Sequence, residues 1–112
     1  MPAVYADLEH VQNRLDEWAR RNFGEDRPSY HPLLGAIEEL GELAHAHLKQ
    51  EQGIRTNEDH EAEARDAVGD VIFYLMDYCN IRGWSIAEII TETENEVFAR
   101  DWTKNREDGS VE

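Results

Sequence analysis

Cysteine, proline and positive charge are all scarce in this chain. A single cysteine, Cys79, excludes an internal disulfide framework. It sits in an apolar run and reads as a small core hydrophobe. Eleven Lys and Arg stand against 25 Asp and Glu, a net charge of −14. That balance excludes a general nucleic-acid backbone binder, which needs a basic face. It leaves room for a small phosphorylated ligand, because a bound metal inverts the local field. No apolar run is long enough to span a bilayer and no signal-peptide pattern is present, so a soluble cytoplasmic chain with no membrane partner is expected. Useful two-residue alternation and internal repeats are also missing, so strands are not expected. With 112 residues, 40% of them apolar, the chain is one domain with enough material for a core. Self-association would help so short a chain bury its surface.

What remains is helical. Val4, Leu8, Val11, Leu15 and Trp18 form one stripe in a first helix from about Ala3 to Phe23, stopped by Gly24. A second helix starts near Pro32 and runs to about Glu51, with Leu33, Leu34, Ile37, Leu40, Ala44 and Leu48 as its stripe. Asn57 is the expected cap of a third helix from about Glu58 to Ile81, whose second half is apolar around much of its circumference and therefore central. Ser85-Ile86-Ala87-Glu88 is a capping box opening a fourth helix that reaches about Trp102, with Ile86, Ile89, Ile90, Thr93 and Val97 on one face. The expected architecture is an all-α four-helix bundle over residues 1–103, with a polar, frayed tail over 104–112.

Two runs place acids inside apolar helical patterns. Glu38, Glu39 and Glu42 share one helical face of the second helix by their spacing of three and four. Asp66 and Asp70 do the same on the third, with Glu63 a turn earlier. If these helices pack antiparallel, four or five carboxylates converge on one volume. Like charges there repel or take up protons unless a cation meets them. Mg²⁺ suits the oxygen-only donor set and keeps positions for water and phosphate, and Mn²⁺ is the natural substitute. Most acidic pairs on helices are simply solvated. Gly41 and Gly69 tip the balance, since each costs roughly 1 kcal/mol against Ala in a helix and would permit close approach beside a ligand. Glu42-Leu43-Ala44-His45 also fits the Glu-x-x-His element of di-iron bundles, but no second such element follows. His45 and His47 therefore read as surface residues or as neighbours of the ligands.

Glu38-Glu39-x-x-Glu42, then Gly69-Asp70 before Val71-Ile72-Phe73-Tyr74-Leu75, then Asn95-Glu96-Val97-Phe98-Ala99-Arg100, resembles the MazG-like all-α nucleoside triphosphate pyrophosphohydrolases. The resemblance covers about Leu34 to Trp102. It implies a helical bundle assembling as a homodimer or homotetramer. It further implies Mg²⁺-dependent cleavage of a nucleoside triphosphate between the α and β phosphates, giving the monophosphate and pyrophosphate. Carried over position by position, Glu39, Glu42 and Asp70 match metal ligands and Glu38 matches the acid that orients or deprotonates water. Asn95 and Arg100 match fourth-helix positions near the substrate. The chain departs from the pattern twice. Ala67 stands where the family usually has Glu, making Asp66 the substitute ligand and Glu63 the longer-range alternative. Val97 stands where Lys is frequent, with Lys104 one or two turns on to compensate.

Phosphoanhydride cleavage needs charge neutralisation and an aligned water more than a strong nucleophile, which fits these residues. Glu38 would accept the water proton, and Arg100 or Lys104 would offset charge on the departing pyrophosphate. Trp18, Tyr30 and Trp84 are the aromatic candidates for stacking the base, Trp18 foremost. The rival from another class is a non-enzymatic acidic helical interaction module, which would need no metal.

Overall fold

Asp7 opens the first helix by accepting a hydrogen bond from the His10 amide at 3.1 Å, satisfying one of the four free amides at a helix start. The computed structural model describes residues 5–111 and holds four helices: α1 Leu8–Phe23, α2 Tyr30–Gln52, α3 His60–Arg82 and α4 Ile86–Phe98. No strand occurs among the described residues, and none of the helices is long and apolar enough to cross a membrane. Ala3 and Val4, placed above in the first helix, lie outside the described residues.

The ends of the helices follow local chemistry. Helix α2 begins two residues before Pro32, which sits in the first turn where a missing N–H costs no intrahelical bond. Asp59, not Asn57, caps α3, accepting from the Ala62 amide at 3.0 Å. Both are good caps; Asp59 is the one immediately before the helix. Gly53 and Gly83 close α2 and α3 with φ of 67° and 72°, a left-handed conformation that other residues resist. Ser85 Oγ accepts from the Glu88 amide at 3.2 Å, as the capping box requires. Helix α4 stops at Phe98, four residues short of expectation. The segment from Asp101 to Ser110, expected as a frayed tail from 104, is instead turned on itself by hydrogen bonds. Asn105 N–H donates to the Asp101 carbonyl, Gly109 N–H to the Asn105 carbonyl and Asn105 Nδ2 to Ser110 Oγ.

Helices α2 and α3 form the main packed pair. They run antiparallel: Gly35 meets Tyr74, Glu39 faces Asp70, and Lys49 shares a wall with His60. The inward line of α2 is Pro32, Ala36, Glu39, Leu43 and Ala46, stepping by four and three. Small residues let the helices close, with Ala36, Ala46 and Ala67 all buried. Gly35 is the tightest point, where an added Cβ would lie 2.5–2.7 Å from the Tyr74 ring. Gly35→Ala should therefore lower the urea midpoint by the equivalent of about 1–3 kcal/mol, despite the better helix propensity of Ala. A raised midpoint would show that Tyr74 moves aside freely.

Helix α1 lies on α3, and α4 touches α1. Gln12 makes the join. Its Nε2 donates to the Trp84 carbonyl at 2.7 Å and its Oε1 accepts from the Ile86 amide at 2.9 Å. Asn80 Nδ2 donates to the Gln12 carbonyl at 3.0 Å. Both polar atoms of the buried side chain thus have a partner, as its position demands. Arg27 bolts the turn before α2 to α3 and α1 through Asp77 at 2.7 Å and Asp16 at 3.4 Å. Burial acts against its charge, but the two carboxylates outweigh that and hold the guanidinium protonated. Burial likewise pushes the Cys79 thiol up, in keeping with an inert core residue.

The expected α2 stripe is not the core. Leu33, Leu34, Ile37, Leu40 and Leu48 are all exposed, Ile37 by 61%. On α3, Val68, Ile72, Phe73 and Leu75 are exposed as well, and α4 buries no residue. The central helix is thus covered on only part of its circumference. The physical reason is geometric: the alanine line of α2 docks on α3, which turns the leucine-rich line outward.

Candidate functional site

The antiparallel α2–α3 pair brings the two acidic runs together. Glu39, Glu42, Asp66 and Asp70 line one cavity of about 490 Å³, joined by His45, Arg55, Glu58, Glu63 and Ala67. Ligand oxygens of Glu38, Glu39 and Glu42 lie within 4.8 Å of one another. Helix periodicity explains this: positions 38, 39 and 42 share a face, and 39 lies on the line that packs on α3.

The electrostatics follow from that crowding. Partial burial, a hydrogen bond shared with Glu42, and the charges of Glu42, Asp70 and Glu38 push the Glu39 carboxyl above the ordinary glutamate value. The same field acts on Tyr74. Burial first, then Glu39, Glu38, Asp70 and Asp77, push its phenol up, so it stays a neutral O–H donor among carboxylates. An oxygen-only group such as Glu38, Glu39 and Glu42, crowded within 4.8 Å, is a donor set a hard divalent cation fits.

A second cavity of about 270 Å³ opens beside the first, lined by Leu15, Trp18, Phe23, Phe73, Tyr74 and Asp77 and sharing Glu39 and Asp70 with it. Trp18 stands edge-on to Phe23 with ring centroids 5.6 Å apart. An apolar, aromatic chamber thus adjoins the acids. Trp18 also lines a third cavity with Arg14 and Arg21.

Of the residues singled out in the sequence, Glu39, Glu42, Asp66, Asp70 and Trp18 line these adjoining cavities, with Glu38 against Glu39 and Glu42. Asn95, Arg100 and Lys104 line none of them in one chain. Arg100 instead packs beside Gly109, and Lys104 N–H bonds to the Asp101 carbonyl. Trp84 packs edge-on to Tyr78 under the Arg82 guanidinium, and Tyr30 stands edge-on to His31. Ala67 does line the acidic cavity, so the missing carboxylate leaves a gap in its wall, with Asp66 and Glu63 both present beside it.

The sequence reading missed Tyr74, Phe73 and Arg55. Tyr74 and Phe73 were hidden inside an apolar run, where aromatic residues ordinarily mean core. Arg55 lies in the α2–α3 connection with φ 52°, an unusual value for a non-glycine residue, and is the cation of the acidic cavity wall. An added Cβ at Gly41 or Gly69 would meet nothing within 4 Å in this chain, so neither opens an approach to the acids here. No protein family, curated protein or solved structure matches the chain.

Proposed function

We propose that the chain is a Mg²⁺-dependent nucleoside triphosphate pyrophosphohydrolase of the MazG-like kind, acting as a homodimer or homotetramer on canonical or modified nucleotides. The observation that supports this reading most is the adjacency of unlike chambers. One is walled by carboxylates, the other by Trp18 and Phe73, and Glu39 and Asp70 belong to both. A nucleotide has those two ends, a stackable base and a phosphate chain that needs cations.

Glu39, Glu42, Asp66 and Asp70 would hold Mg²⁺, which when bound would neutralise phosphate oxygens and make bound water more acidic. The remaining roles fall to side chains. Trp18 and Phe73 stack the base and exclude water from its face. Glu38, exposed beside the cluster, accepts the proton of the attacking water. Tyr74 donates its O–H within the acidic field, and Arg55 offsets charge on the phosphate chain from the connecting loop. Asn95, Arg100 and Lys104 act, in this reading, from the α4 region of a second copy.

Pyrophosphate release from a panel of NTPs and dNTPs tests the proposal. At least one nucleotide should turn over with Mg²⁺ or Mn²⁺ and stop with EDTA. Folded, Mg²⁺-loaded protein that released no pyrophosphate from any of them would overturn it.

A further inference from the structure

A second group of ligand atoms lies at the start of α3, beside the Asp59 cap. His60 follows the Asp59 cap and is 8% exposed. Its Nε2 lies 3.0 Å from the Ile54 carbonyl. A carbonyl only accepts, so Nε2 carries the hydrogen, and in the neutral ring Nδ1 is left with its lone pair. That Nδ1 is buried and has no hydrogen-bond partner. It faces Glu63, whose Oε1 is 3.5 Å away, too far for a hydrogen bond. Ligand atoms of Glu58, His60 and Glu63 all lie within 4.8 Å of one another.

We propose that Glu58, His60 and Glu63 form a binding site for a divalent transition metal of the zinc class. Three considerations carry this. A buried acceptor turned toward the Glu63 carboxylate is unfavourable unless a proton or a metal cation lies between them, and 3.5 Å is longer than a proton-bridged contact of this kind. The helix dipole explains why an acid such as Glu63 stands in a first turn, but it does not explain an imidazole lone pair aimed at it. Two carboxylates also outweigh the roughly half positive charge of a helix N-terminus. Last, a metal-bound imidazole is ordinarily steadied by a hydrogen bond from its other nitrogen, which the Ile54 carbonyl already supplies.

The donor set selects the metal. One imidazole nitrogen with two carboxylates suits Zn²⁺, whereas Mg²⁺ prefers oxygen throughout. Ligands about 2.1 Å from a tetrahedral centre lie ~3.4 Å apart. Glu58 and Glu63 are exposed, so no packing holds their side chains away from that spacing. The ion would tie the connecting loop, through Glu58 and the Ile54 carbonyl, to the first turn of α3. That would steady Arg55, which lines the acidic cavity with Glu58 and Glu63. Glu58 and Glu63 also line the acidic cavity, but Zn²⁺ binding here is read without any nucleotide and does not rest on the chemistry proposed above.

The test is Zn²⁺ titration of the metal-free full chain against a chromophoric chelator. Millimolar Mg²⁺ should be present to occupy carboxylate-only sites. One tight Zn²⁺ per chain is expected. Affinity should fall at least about 100-fold in His60→Gln and about 10-fold or more in Glu63→Gln, while Glu39→Gln and Asp70→Asn keep it. On ¹⁵N NMR, Zn²⁺ should shift the His60 Nδ1 resonance and leave Nε2 protonated. If His60→Gln fails to fold, Glu63→Gln and the NMR shift decide, since the Glu63 side chain is 45% exposed. The proposal is overturned if the native chain binds no Zn²⁺ at micromolar concentration, or if the His60 and Glu63 variants bind as tightly as it does. It is equally overturned if Glu39→Gln loses as much affinity as they do.

Discussion

Glu39→Gln is expected to cut pyrophosphate release by about 10²–10³-fold while leaving the metal-free protein at least as stable as the native chain. Glu39 lies on the inward line of α2, half-buried, with Glu42, Asp70 and Glu38 around it. Its carboxyl is held above the value it has in an unfolded chain, so folding favours the protonated form. Ionisation then opposes folding: the penalty is absent at low pH and grows as pH rises through the carboxylate range. A neutral amide of the same shape removes that penalty. The advantage of Glu39→Gln over the native chain should therefore widen from pH 4 to pH 7 in EDTA. With Mg²⁺ the order should invert. A cation bound at 100 times its dissociation constant adds about 2.7 kcal/mol to the native protein, and the variant, short of one carboxylate, should gain less. Loss of one preorganised electrostatic contact costs about 10²–10³ in rate, and Asp70→Asn should fall in the same range. Thermal melts with and without Mg²⁺, beside the pyrophosphate assay, give both readings. A variant that is destabilised in EDTA would make Glu39 a structural residue, and one that remains active would remove it from the ligand set.

How much of this was legible in the chain depends on how local the determining physics is. Helix caps are local. Asp7 escaped notice, but Ser85 with Glu88 was read from four letters and makes the expected bond. Asn57 and Asp59 were two good caps two residues apart, and only the path of the loop chooses between them. The convergence of Glu39 with Asp70 followed from spacing plus one assumption, antiparallel packing, that the chain adopts. The facing of α2 did not follow. Hydropathy pointed to Leu33, Ile37, Leu40 and Leu48, while docking was decided by the small side chains of Ala36 and Ala46, a steric matter to which hydropathy is blind. For the same reason Gly41 and Gly69 drew attention and Gly35, at the real point of contact, did not. His60 drew no notice in the sequence, because the direction of its lone pair is set by a carbonyl six residues away.

The outward-facing leucines lead to the second large effect: the chain should run as an oligomer, and charges placed on that face should break it apart. The radius of gyration is 17.8 Å, against about 13 Å for a compact domain of this length. The accessible surface is 8878 Å², against ~6300 Å² for a folded monomer of this mass. The excess, roughly 2500 Å² per chain, is what a large obligate interface covers. Its chemistry fits that use, since Ile37, Leu40 and Leu48 on α2 and Val68, Ile72 and Leu75 on α3 are all exposed aliphatic residues. A net charge of −14 argues that hydrophobic burial, not charge pairing between copies, would drive the association. Gly41 and Gly69, where an added Cβ would meet no neighbouring element within 4 Å, become intelligible if another helix crosses there closely. Ile37→Glu with Ile72→Glu should cost about 2 kcal/mol each at such an interface, and together raise the dissociation constant about 10³-fold. Neither residue belongs to the buried core of a single chain, so the helical CD signal of the variant should persist while light scattering reports a monomer. The glycines give an independent check. In a monomer, Gly41→Ala would stabilise α2 by about 1 kcal/mol; across a close helix crossing the added methyl should instead weaken association. A native chain that sediments as a monomer at micromolar concentration, with Gly41→Ala simply more stable, would refute the assembly and the contribution of α4 from a second copy together.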